Sequence, residues 1–165
     1  MSESLPWVDP NATPAEVHAT LLQALDGMLV GERDWIANLA NASALLMGLL
    51  PNLNWAGFYL YKHGELVVGP FQGKPACVRI ALDRGVCGAA ATARQTLVVA
   101  DVHAFPGHIA CDAASLSEVV VPLIAADGRL LGVMDLDSPL PARFDAADAA
   151  ALEVFAARLV AGCDV

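Results

Sequence analysis

The sequence predicts an α+β domain, with a mostly antiparallel central sheet and helices packed on one face. Three observations carry that expectation: helical periodicity at both ends of the chain, a switch to strand-like alternation after Pro51, and a closing hairpin signalled by Asp127-Gly128.

Taken in order, Thr13-Pro14-Ala15-Glu16 reads as a helix start, with Thr as N-cap, Pro at the first position and Glu at the third. That helix is expected to run through Leu21, Leu22 and Leu25 to Gly27. A second helix is expected from Arg33 to Leu50, where Trp35, Leu39, Leu45, Leu46 and Leu49 recur at helical spacing and Pro51 stops it. Asn54 to Tyr61 reads as a strand, Lys62-His63-Gly64 as a turn, and Glu65 to Phe71 as the hairpin partner. Cys77 to Leu82 is a shorter strand, Gly85 to Arg94 a short Ala-rich helix, and Leu97 to Ala100 another strand. A long irregular loop, Val102 to Ser117, precedes the hairpin of Glu118 to Ala125 and Arg129 to Asp137. The last helix spans Phe144 to Val160, with its start at or near Asp145.

At 165 residues the chain fits one domain, 1–165, long enough to bury a core. No uninterrupted apolar stretch reaches the roughly 18 residues of a membrane span, so no membrane association is expected. The opening residues MSESLPWVDP lack the basic and then apolar regions of a secretory signal, so the cytoplasm is the expected compartment. The net charge of −9, with nine Lys plus Arg against 18 Asp plus Glu, argues against a nucleic-acid partner, because such a surface repels phosphates. Four cysteines occur: Cys77, Cys87, Cys111 and Cys163. In a reducing compartment any pairing among them is expected to be transient and chemical. No C-x-x-C and no His pair at ligand spacing is present, so no metal is expected.

The order of two helices, strands, an inserted short helix and a final helix resembles the GAF fold. More specific are the segments NWAGFYLY (54–61), GPFQGKPACVRI (69–80), RGVCGAA (84–90), DVHAFPGHIACDAASLSEVVVPL (101–123) and GVMDLDS (132–138). In content, order and spacing they resemble those of the free methionine-(R)-sulfoxide reductase family. That resemblance implies reduction of free methionine sulfoxide, R epimer at sulfur, with electrons from thioredoxin and no metal or organic cofactor.

The residues fit such chemistry individually. Cys111 sits in the long loop, where catalytic groups are commonly carried, and a thiolate there needs a positive or hydrogen-bonding environment; His108 is three residues away. Cys77 follows the Gly73-Lys74-Pro75 turn at the start of a strand, beside Val78 and Ile80, which are expected to bury; by resemblance it matches the resolving cysteine. Cys87, in the first turn of the short helix, is an auxiliary resolving candidate, because helix N-termini favour thiolates. Cys163 lies outside any motif and is expected to be inert. Trp55, Gly57 and Tyr59 share one strand face, and the Gly leaves a slot in which a ligand's methyl and sulfur would rest. Asp135 and Asp137 continue the parity of Leu131 and Val133, and Glu118 opens the strand expected to pair with theirs. Clustered carboxyls raise one another's pKa, and a sulfoxide oxygen needs a proton donor to leave as water. Any of the three serves as that donor, or as the partner of the substrate's ammonium group.

Two other readings use part of the same features. One is a GAF sensor module for a cyclic nucleotide or similar ligand; the other is a redox-sensing interaction protein that switches through the same disulfide without turnover. The Ala-rich helices are compatible with a homodimer, although no stripe demands one.

Overall fold

A computed structural model describes residues 9–108 and 112–165. Helix α1 covers Pro14–Met28 and α2 Trp35–Leu49, strands β1 and β2 cover Trp55–Lys62 and Glu65–Gly73, and β3 covers Arg79–Ala81. Then come α3 (Gly85–Ala93), β4 (Leu97–Val99), a 3-10 turn (Val102–Ala104), β5 (Ser117–Ile124), β6 (Leu130–Ser138) and α4 (Ala146–Ala161). The helix starts follow their caps. Thr13 and Glu16 form a reciprocal capping box on α1, the Asp34 carboxylate accepts from the Ala37 N–H, and Asp145 with Asp148 boxes α4. At the β1–β2 turn His63 and Gly64 both take positive φ, 52° and 87°, which matches the twist of a two-residue hairpin.

The sheet runs β3-β2-β1-β6-β5-β4, and every neighbouring pair is antiparallel. Its two faces bury different things. One face sends Ala56, Phe58, Val119, Val121, Met134 and Leu136 against Leu21, Leu25, Leu39, Leu46, Phe155 and Leu159 of the three long helices. Alternation sends Trp55, Tyr59, Val120 and Val133 to the other face, where they meet Val86, Cys87, Ala90 and Ala91 of α3. The α+β arrangement with the long helices on one face is therefore as expected. The short helix covers the second face over only part of its width, and a pocket opens beside it.

Three local expectations change. The strand expected from Cys77 begins at Arg79, so Cys77 lies in the preceding loop, where Pro75 cannot donate to a ladder, and Val78 is exposed while Ile80 is buried. The expected loop before β5 contains a 3-10 turn whose N–H at His103 is capped by Asp101. Leu131 does not share a face with Val133. The register of β5 on β6 skips from Leu123↔Gly132 to Ile124↔Leu130, leaving Leu131 as the extra residue of a bulge, and it packs on the helix side.

Gly132, at φ 154°, makes that bulge possible: a Cβ there would overlap the Tyr59 carbonyl oxygen and sit 3.0 Å from the Leu60 Cα. Both obstacles are backbone, so no rotamer change relieves them. Gly132→Ala is expected to lower stability by about 1–3 kcal/mol in urea unfolding, the range of a forced overpacking.

Candidate functional site

The pocket lies on the α3 side of the sheet, toward the start of β1 and the end of β6, and holds about 580 Å³ including its open mouth. Trp55 and Tyr59 form one wall. Asp135 and Asp137 of β6 and Glu118 of β5 form the floor, Cys87 and Val86 close one side from α3, and Lys74, Pro75, His108, Asp112 and Ser115 lean over it from two loops. Strand register explains the convergence: Asp137 pairs with Trp55 on one side and Glu118 on the other, and Asp135 pairs with Gly57 and Val120.

The aromatic wall is a stack of three rings. Trp55 lies 5.8 Å from Tyr59 and 5.2 Å from Phe71, at interplanar angles of 25° and 17°. The slot expected over Gly57 is filled by Phe71, which lies opposite it across the β1–β2 pair. A Cβ on Gly57 would come within 2.7 Å of the Phe71 Cα, so the glycine serves close strand packing rather than a ligand. The polar tips point to the loop that carries Cys77: the Trp55 indole N–H donates to the Lys74 carbonyl (3.2 Å) and the Tyr59 hydroxyl to the Cys77 carbonyl (3.1 Å). Burial and the neighbouring acids push the Tyr59 pKa up, so the hydroxyl remains a donor at every working pH.

The acids are buried rather than rim-like. Glu118 and Asp135 are 6% and 5% exposed, and Asp137 is half-buried. Burial pushes the Glu118 carboxyl up to about 8, with Asp137 adding to the shift and hydrogen bonds from Asp135 and Cys87 opposing it. Asp135 and Asp137 are both raised well above the usual carboxylate range, first by burial and then by Glu118 and Asp135 respectively. All three shifts favour the protonated form, and with a value of about 8 Glu118 holds its proton at neutral pH. Among the described residues, Oδ1 of Asp135 is buried without a hydrogen-bond partner, a condition that costs about 1–3 kcal/mol unless something supplies one.

Cys87 reverses its expectation. Its thiol is buried and donates to Asp135 Oδ2 at 3.4 Å and, more weakly, toward Glu118 Oε1 at 3.9 Å. Burial comes first and the acids next in raising its pKa well above normal, which outweighs any help from the start of α3. It is a neutral thiol, a poor nucleophile in this state. Cys87 Sγ, Glu118 and Asp135 also offer ligand atoms within 4.8 Å of one another, a set that could hold a metal ion and that linear spacing did not foresee. An ion there would compete with protons, because burial raises the pKa of each of the three.

Cys111 lies outside the described residues. Its neighbours His108 and Asp112 both line the pocket. Burial and the nearby His103, whose ring centroid is 6.1 Å away, lower the His108 pKa, which favours the neutral imidazole. Cys77 is half-buried in the loop before β3, with its backbone at the pocket's edge. Cys163 is buried far along the chain against Asn38, whose Nδ2 lies 3.3 Å from its sulfur. Phe71 and Asn54 belong to the site's support although nothing in their chemistry singles them out; they lie in the motif segments, and only register and contacts reveal them.

Among known proteins, a family model described as GAF domain matches residues 19–161. The chain is 57% identical to Protein YtsP of Bacillus subtilis, with 84% of this chain and 86% of that protein covered. It is 49% identical to the free methionine-R-sulfoxide reductase of Escherichia coli, with 87% of each covered. It also superposes, at a TM-score of 0.89 and 43% identity, on the X-ray structure of free methionine-R-sulfoxide reductase from Neisseria meningitidis in complex with its substrate, covering 94% of this chain and 93% of that one.

Proposed function

This chain belongs to the free methionine-R-sulfoxide reductase family of GAF domains, and from that membership we propose that it reduces free methionine (R)-sulfoxide to methionine in the pocket beside α3. The observation that carries the proposal is the floor of buried carboxyls with raised pKa values set against an aromatic wall, with His108 and Asp112 at the same pocket. A sulfoxide presents an apolar methyl and sulfur together with a strongly accepting oxygen. Trp55 and Tyr59 suit the first, and a protonated carboxyl suits the second.

In this mechanism the Cys111 thiolate attacks the sulfoxide sulfur while Glu118, or one of Asp135 and Asp137, protonates the oxygen. The oxygen, now a hydroxyl, passes from the methionine sulfur to the Cys111 sulfur as the S–O bond and the newly formed S–S bond both break, so methionine leaves and Cys111 is left as a sulfenic acid. A second thiol condenses with it, releasing water and forming a disulfide. Cys77 is the resolving thiol in this reading, with Cys87 as the auxiliary. Thioredoxin then reopens the disulfide by dithiol exchange, and its two electrons balance the reduction. In this reading the residues act without a cofactor and the enzyme works in the cytoplasm with its thioredoxin partner. Among the described residues, no helix is long and apolar enough to cross a membrane.

Oxidation of NADPH coupled through thioredoxin reductase and thioredoxin, dependent on free methionine sulfoxide, tests the whole scheme. A sensor module or a disulfide switch would give no sustained oxidation. The R epimer of the free amino acid is expected to turn over, whereas a sulfoxide within a peptide is not. The carboxyl floor can pair with a free ammonium group that a peptide-bound methionine sulfoxide lacks. Comparable turnover on a sulfoxide-containing peptide would refute this specificity.

A further inference from the structure

We propose that Asn54 is a positioning residue that fixes the loop following Cys111 over the pocket. Asn54 stands directly before β1, and its backbone N–H donates to the Asp137 carbonyl at 3.0 Å, so its Cα is tied to the strand that carries the acids. Its side-chain amide donates to Ser115 Oγ at 3.0 Å and to Asp112 Oδ2 at 3.3 Å. Those two contacts seize both ends of a tight turn. Within it, Asp112 Oδ1 accepts from the Ala114 N–H (2.9 Å) and the Asp112 carbonyl from the Ser115 N–H (3.2 Å). Leu116 N–H then donates to the Ser138 carbonyl at 2.8 Å and passes the chain into β5. Asp112 is the residue after Cys111, so the amide of Asn54 sets where the chain leaves the nucleophile.

A second observation separates this role from ordinary stabilisation. Among the described residues, Oδ1 of Asn54 is buried and has no hydrogen-bond partner. A side chain selected for stability alone would not leave an acceptor unsatisfied, because that cost offsets about what one hydrogen bond contributes. The amide cannot flip to satisfy it either, since that would turn the oxygen onto the Asp112 carboxylate. The only other side-chain partner of that carboxylate among the described residues is Lys74, at 3.9 Å and largely exposed, which is a weak tether. Among the described residues Asn54 is therefore the main side-chain hold on the Asp112 carboxylate, and it is not one of the residues that line the pocket.

The inference rests on the reading of Cys111 as nucleophile, and the test separates the two. Asn54→Asp sets a carboxylate against Asp112 and should lower kcat about a hundredfold, the scale of an ångström of misplacement at a reacting group, with KM changed by less than about threefold. Amide exchange in the segment 112–116 should speed up at least about tenfold while β1 and β6 keep their protection. Asn54→Ala, with no added charge, should move both readouts the same way by less. Adding Asp112→Asn to Asn54→Asp restores one amide facing one carboxylate with the roles exchanged, and should recover at least about tenfold in kcat and slow the exchange again. Wild-type kcat or unchanged exchange in Asn54→Asp overturns the proposal, as does a double variant no better than the single one. If Cys111→Ser keeps turnover, the reading of Cys111 falls and the positioning role with it. If Cys111→Ser is inactive and Asn54→Asp is not impaired, only the positioning role falls.

Discussion

Cys111→Ser is expected to abolish methionine formation, while Cys77→Ser should still produce one equivalent of methionine per protein and then stall. The two outcomes differ because the first thiol makes the bond to oxygen and the second only clears it. A serine hydroxyl at 111 cannot accept the oxygen as a sulfenic acid, so no partial reaction survives. Without Cys77 the sulfenic acid at Cys111 forms normally but meets no prepared partner. Cys87 is the alternative, and its state argues against a fast rescue: a buried thiol held neutral by Asp135 and Glu118 lacks the thiolate that exchange requires. Single-turnover product analysis and steady-state NADPH oxidation separate these cases. Sustained thioredoxin-dependent turnover in Cys77→Ser would transfer the resolving role to Cys87, and mass mapping of the oxidised protein is expected to give a Cys77–Cys111 bridge.

Glu118→Gln is expected to lower kcat by about two to four orders of magnitude, as for removal of a general acid. The amide keeps the volume and a weak donor but delivers no proton to the leaving oxygen. KM should change much less if Glu118 meets only that oxygen. A large rise in KM with kcat retained would assign Glu118 to the ammonium group and leave the proton to an aspartate. The pH dependence has a definite sign. With the Glu118 carboxyl raised to about 8, the proton needed for catalysis is present below that value and lost above it, so kcat should fall as pH rises through about 8. Stability follows the same group. Between its ordinary value of 4.5 and about 8 the folded protein holds a proton that the unfolded chain has released, so this contribution to stability declines as pH rises across that window. Glu118→Gln should flatten that part of a urea-unfolding series taken against pH, and a wild-type slope in the variant would exclude Glu118 as the group responsible.

The sequence alone fixed much of this protein. Caps and periodicity are local, so Thr13 with Glu16, Asp34 and Asp145 set helix starts that the tertiary structure leaves in place. Alternation along β1 and β6 sent Trp55, Tyr59 and Asp135 to one face, because side-chain direction in a strand depends only on parity. The motif segments carried the family.

What parity could not decide was anything that depended on a break in register or on a neighbour from another element. The bulge at Leu131 changes its face because Gly132 alone tolerates the backbone geometry there. Phe71 fills the space above Gly57 because β2, not β1, determines what lies opposite a glycine. The acids are an interior floor rather than a rim, since α3 and the two loops cover the second face of the sheet and take the water away. For the same reason Cys87 is a neutral thiol: a helix start read along the chain suggests a thiolate, but desolvation beside three carboxyl groups is a property of the assembled pocket and outweighs it. Sequence supplied the groups and their parity; the assembled fold set the dielectric around them, and with it which of them hold protons.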